Sequence, residues 1–211
     1  LPEAIGIDQI VVFPDFNLGG RTQDNIIYFD NISFSPATVP GSPAEAAPTP
    51  TLAEANVISI FSDAYTNIDG VNLNPVWGQS TVVTEMAIEG NNTLLYTGLN
   101  YQGTEFIAQD VSGMTYLHID YWTDNSTALN FFVISQTPTV DSDYHTFALV
   151  SEQWVSVDIP LTTFPNVDLT DVFQFKVEGN GTIYWDNFYF YSNPVGVDNR
   201  SETLPQGFAL E

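Results

Sequence analysis

The stretch IYWDNFYF, residues 183–190, decides how this chain folds. Every position except Asp186 and Asn187 is aromatic or aliphatic, the composition of a β-strand rather than a surface helix. On strict alternation, Tyr184, Phe188 and Phe190 share one face, while Ile183, Trp185, Tyr189 and Tyr191 share the other. A strand apolar on both faces is covered on both faces, so a second layer is expected on each side. The same stretch occurs earlier in altered form, as IYFDNISF at residues 27–34. The match continues upstream, where IDQIVVF (7–13) parallels LTDVFQF (169–175). Residues 5–34 therefore read as the last two strands of a sandwich whose earlier strands are not in the sequence, and the expected arrangement is a tandem array.

Between the two copies, residues 52–194 carry about ten strand-like runs separated by turn signals, from NVISIFSDAY to TIYWDNFYFY. Several alternate cleanly: Leu117, Ile119 and Tyr121 against His118, Asp120 and Trp122; Val155, Val157 and Ile159 against Ser156 and Asp158. No amphipathic helical period competes. Many short strands at regular spacing predict an all-β chain, a jelly-roll-type β-sandwich preceded by an extra β-hairpin and a Pro-rich linker. The expected divisions are the hairpin at 1–36, a Pro/Ala/Thr linker at 37–51, the sandwich at 52–194 and an extended tail at 195–211. The linker has no hydrophobic period and reads as an extended tether.

Composition narrows the function classes. Hydrophobic residues make up 44% and aromatics 14%, with Phe and Tyr frequent and Met rare, as suits a packed β core. There are 26 Asp and Glu against 3 Lys and Arg, a net charge of −23. Such a chain has no cationic surface for nucleic acid, and an anionic membrane repels it. No run approaches the roughly 18 apolar residues of a membrane span. Cysteine is absent, which excludes disulfides and thiol chemistry. The acidic balance suits extracellular or cell-surface water.

The runs NVISIFSDAY…VWGQST, NNTLLYTGLNYQGTEF, VSGMTYLHIDYWT and TIYWDNFYFY resemble a carbohydrate-binding-module-like β-sandwich of secreted Bacteroidota-type multidomain proteins. The tail LPQGFALE resembles the approach to a type IX secretion sorting domain, whose own core is absent from the sequence. The resemblance implies secretion, glycan binding and a structural Ca²⁺. In resembling sandwiches an Asp of the last strand and groups near the first hold the ion, which corresponds to Asp186 and Asp63 here. Asp15, Asn17 and Asp24 in PDFNLGGRTQDN fit no standard calcium loop.

No nucleophile elbow, zinc-protease motif or phosphate loop occurs, and only His118 and His145 could act as neutral-pH bases, so a non-enzyme is expected. Glycan binding needs exposed rings with polar groups beside them. The candidates are Tyr65, Trp77, Tyr101, His118, Asp120 and Trp122. Two readings follow. In the first, the chain is an extracellular assembly subunit whose N-terminal hairpin adds strands to a neighbouring copy, head to tail, through Ile10, Val11, Val12, Phe13, Ile26 and Ile27, with Trp185 and Tyr189 on a face that needs covering. In the second, it is a carbohydrate-binding module that targets a secreted protein to a polysaccharide such as a β-glucan.

Overall fold

In a computed structural model, residues 41–192 are described. The chain divides into two units, Leu1–Ala37 and Thr38–Glu211. The first copy of the repeat, with Ile10, Val11, Val12, Phe13, Ile26 and Ile27, lies outside the described residues, as does the tail.

The described part is an all-β jelly-roll sandwich of two antiparallel sheets. Its strands are β1 (Val57–Phe61), β2 (Val82–Ile88), β3 (Asn91–Thr97), β4 (Tyr101–Gln109), β5 (Tyr116–Thr123), β6 (Leu129–Gln136), β7 (Thr139–Val140), β8 (Tyr144–Thr146), β9 (Val155–Pro160), β10 (Val172–Gly179) and β11 (Ile183–Tyr191). Only two single-turn 3-10 helices interrupt them, Glu54–Asn56 and Leu161–Thr163. One sheet runs β2-β3-β11-β5-β9, with β1 pairing the far half of β11 on the β3 side. The other runs β4-β10-β6, with β7 and β8 both on the free edge of β6. β2 and β3 join through Glu89 and Gly90 at φ 52° and 88°, the two left-handed residues a tight hairpin requires.

The core lies between the sheets. β5 contributes Leu117, Ile119 and Tyr121, as its alternation predicts; Phe131 and Val133 come from β6, Phe175 and Val177 from β10. β11 departs from simple alternation. Asp186 pairs with Asp120 and Tyr189 with His118, so three residues of β11 span two of β5. The extra residue is a bulge, and Asn187 takes it at φ 57°. Asn tolerates this left-handed conformation better than other residues with a side chain. The bulge reverses the facing of the strand halfway along. Ile183 and Trp185 point inward, and so do Phe188 and Phe190. Tyr184, Tyr189 and Tyr191 lie outside the core cluster. The alternation that grouped Trp185 with Tyr189 is thus corrected: Trp185 is at 0% exposure in the core, ringed by Tyr96, Tyr121, Phe131, Phe147 and Phe188.

The pair β10–β11 carries the second copy of the repeat. The two strands share the repeat motif but belong to opposite sheets, and β10 bonds to β4 and β6 rather than to β11. This copy is an arch across the sandwich, not a hairpin.

A second correction concerns the linker. Residues 43–52 are not a free tether. They lie against the outer face of the six-stranded sheet, where Pro43 and Ala47 are buried. The second face of β11 therefore has its cover within the same chain.

Candidate functional site

The six predicted glycan-contact residues fall on two opposite surfaces. His118, Asp120 and Trp122 lie on the outer face of the six-stranded sheet, and Tyr65 packs edge-on to Tyr189 there at 5.2 Å. Trp77 and Tyr101 lie at the five-stranded sheet. These are two separate places.

In the first place residues 43–52 lie over the sheet and leave shallow clefts, one lined by His118, Asp120, Asp158, Tyr189 and Tyr191, another by Trp122 and Trp154. Trp122 is 6% exposed and forms a small apolar cluster with Ile88 and Tyr184, flanked by Met86, Leu95 and Trp154. Asp120 is buried; its Oδ2 accepts from Asn187 Nδ2 at 2.7 Å. Its Oδ1 faces His118 Nε2 at 3.4 Å, within ion-pair range. His118 stacks on Tyr189 at 4.6 Å and meets Asp158 Oδ1 through Nδ1 at 2.7 Å. Burial works to lower the His118 pKa, but hydrogen bonds and charge from Asp120 and Asp158 outweigh it, and the net direction is upward.

The calcium candidates sit at the end of this region. Asp63 accepts Asn92 N–H at 2.8 Å and Asn92 Nδ2 at 3.1 Å. Asp186 Oδ1 accepts Asn187 N–H at 2.7 Å, and its Oδ2 accepts Asn91 Nδ2. All four oxygens are thus engaged by amides. Among the described residues, no group of three or more acidic or histidine side chains gathers. Burial, reinforced by Asp120 and Asp63 against the hydrogen bonds, pushes the Asp186 pKa up to about 7.

The second place is open, and the strand register builds it. Residues facing outward on β4, β10, β6 and β8 line up in rows across the strands. Gly103, Lys176, Phe132 and Tyr144 form the central row. Tyr101, Glu178, Asn130 and Thr146 form the row on one side; Glu105, Gln174 and Ile134 form the row on the other. Trp77 completes the central row. Its ring lies over Gly103, where a Cβ would come within 2.6 Å of the ring carbons. The indole Nε1 donates to Glu105 Oε1 at 2.8 Å, which also accepts Gln174 Nε2 at 3.2 Å. Tyr101 Oη donates to the Trp77 carbonyl at 2.9 Å, and Trp77 N–H donates to Gln79 Oε1 at 2.8 Å. The ring is thus held at its edge, its backbone and its underside.

Further along the row, Lys176 Nζ sits 3.9 Å from the Phe132 ring centroid and 3.0 Å from Glu178 Oε1. Phe132 packs on Tyr144 at 5.0 Å, and Tyr144 is 50% exposed. Trp77, Lys176, Phe132 and Tyr144 make a band across four strands, three spacings of about 4.8 Å. Polar side chains line one flank throughout; the other has Glu105 and Gln174 and ends in the buried Ile134. The sequence pointed to Trp77 and Tyr101 but not to Glu105, Phe132, Tyr144, Gln174, Lys176 or Glu178. The one local signal was Gly103 inside a strand, which marks the close approach of another group.

No protein-family model and no curated protein matches the chain. Among solved structures, it is similar to a family 11 carbohydrate-binding module from Clostridium thermocellum in complex with a β-1,3-1,4-mixed-linked tetrasaccharide, at 16% identity and TM-score 0.42, over 58% of this chain and 88% of that one. It is also similar to the family 30 carbohydrate-binding module of a cellulosomal cellulase of Clostridium thermocellum, at 13% identity and TM-score 0.47, over 65% of this chain and 98% of that one. Likeness of this degree concerns the general run of strands and gives no residue correspondence.

Proposed function

We propose that the chain is a non-catalytic, extracellular glycan-binding module, and that it holds a polysaccharide across the outer face of the five-stranded sheet. The observation that carries this reading is the central band, with Trp77 at one end and the half-exposed ring of Tyr144 at the other and polar side chains beside them; Phe132 between them is buried beneath Lys176. Sugar rings pack their C–H faces on flat aromatic surfaces, while side chains beside them read the hydroxyls. A β-glucan presents both features along its length. The mixed-linkage tetrasaccharide held by the family 11 module is a ligand of that kind, and the present reading stands on the band alone.

The non-catalytic part rests on distance. Glycoside hydrolysis uses two carboxyl groups about 5–9.5 Å apart. On this face Glu105 pairs in register with Gln174, four residues from Glu178 along β10. At about 3.3 Å per residue the two backbone positions stand some 13 Å apart along the strand. His118 lies on the opposite side of the sandwich. No helix among the described residues is long and apolar enough to cross a membrane.

Of the candidates for assembly, two lie on β11 and are buried; the hairpin residues that carry that reading lie outside the described residues. Trp185 is core, and Tyr189 is covered by the chain's own residues 48–52.

The test is affinity electrophoresis against soluble polysaccharides, followed by titration calorimetry on any that retard the protein. Trp77→Ala and Tyr144→Ala are each expected to weaken binding about tenfold or more, the cost of losing one stacking platform. Gly103→Ala is expected to do the same by lifting the Trp77 ring. Trp154→Phe, on the opposite face, is expected to leave binding unchanged. Absence of retardation by every polysaccharide, or binding insensitive to Trp77→Ala, overturns the reading.

A further inference from the structure

The segment 43–52, PAEAAPTPTL, is held differently from every strand. It forms no strand, and no backbone–backbone hydrogen bond ties it to one. Pro43, Pro48 and Pro50 have no N–H to give. Instead, three side chains of the sandwich donate to three of its carbonyls. Trp154 Nε1 reaches Glu45 O at 2.8 Å, Asn187 Nδ2 reaches Pro48 O at 3.0 Å, and Tyr65 Oη reaches Leu52 O at 3.3 Å. In return the segment offers one N–H, from Ala46 to Glu89 Oε2 at 3.3 Å. Indole and amide donors aimed at the carbonyls of an extended proline-rich segment, in a groove walled by aromatic rings, are the chemistry by which proline-rich peptides are recognised. The walls here include Trp122, Trp154, Tyr189 and Tyr191.

We propose that the outer face of the six-stranded sheet is a docking groove for an extended proline-rich segment, occupied in this chain by its own residues 43–52, and that it accepts the same segment from a second copy. The hydrogen bonds run between side chains of the sandwich and the backbone of the segment, three to its carbonyls and one from its Ala46 N–H. None depends on the segment being continuous with β1. The groove therefore recognises the segment itself, and two copies can trade segments without altering either sandwich.

The experiment uses the full chain with residues 43–52 replaced by Gly and Ser at equal length, and a fluorescein-labelled peptide of residues 41–53 followed by anisotropy. Saturable binding is expected. The unaltered chain, whose groove is filled, should bind the peptide about tenfold or more weakly, and so should the replaced chain carrying Trp154→Phe. A replaced chain that keeps its β-sheet circular dichroism and cooperative melting but binds no peptide overturns the proposal. Peptide binding of equal strength to the unaltered chain overturns it too. If the replacement prevents folding, a full-length chain with a protease site after Ala53 serves instead. After cleavage, excess labelled peptide should displace the N-terminal piece from the sandwich. A cut, folded sandwich that takes up no peptide overturns the proposal.

Discussion

Asp186 is fully buried beside Asn91, Asn187 and Asp120, and burial pushes its carboxyl from 3.8 up to about 7. In the unfolded chain it ionises at its ordinary value. Between about pH 4 and pH 7 the native state therefore holds a proton that the unfolded state has released, and stability falls as pH rises, by up to about 1.4 kcal/mol per pH unit. His118 works in the same direction at higher pH. Its imidazolium is held by Asp120 and Asp158, so its contribution is complete below about pH 6.5 and is lost as pH rises through its raised folded value. The protein is expected to be more stable near pH 5 than near pH 8. Urea unfolding across that range checks this. Asp186→Asn should flatten the lower part of the slope, and an unchanged slope in that variant would show that another group titrates. Nothing in the sequence placed Asp186 opposite Asp120, because the two are brought together only by the pairing of β11 with β5.

At the scale of the element, β11 shows where sequence reading holds and where it stops. The aromatic run made a central strand legible, and its two apolar faces correctly implied cover on both sides. The facing of each ring was not legible, because a one-residue bulge at Asn187 reverses it and alternation carries no mark of an inserted residue. The Asp-Asn pair was the available hint, since Asn is a residue that accepts a left-handed backbone. Asn187 also works through its side chain: Oδ1 accepts Ser62 Oγ at 2.7 Å, while Nδ2 reaches Asp120 and Pro48. Replacing it separates the two roles. Asn187→Gly loses the hydrogen bonds but keeps a relaxed backbone; Asn187→Ala loses both. The Ala variant should be less stable than the Gly variant by about 1 kcal/mol, measured by denaturant unfolding. The reverse order would mean that φ at this position relaxes without cost and that the bulge is not what sets the facing of Trp185.

Over the whole molecule, the layers were legible in the strand spacing, whereas the binding band was not. Its residues come from a loop and from β4, β10, β6 and β8, and Trp77 and Lys176 are 99 positions apart in the sequence. Only register brings them into a row. Charge is also a property of this scale. With 26 acidic side chains against 3 basic ones, repulsion acts throughout the folded state. Lys176 is the sole Lys or Arg among the described residues, and it is committed to Glu178 and Phe132. Salt shortens the reach of the repulsion to about 10 Å at 0.1 M. The melting temperature is therefore expected to rise as sodium chloride is increased from about 0.01 M to well above 0.1 M, which differential scanning fluorimetry will measure. Screening is blind to the identity of the cation beyond its charge and concentration. At matched ionic strength, calcium chloride is expected to do no more than sodium chloride. An added stabilisation by calcium would mean that the oxygens of Asp63 and Asp186 leave their amide partners to surround an ion, and would overturn the amide-bonded arrangement described for them.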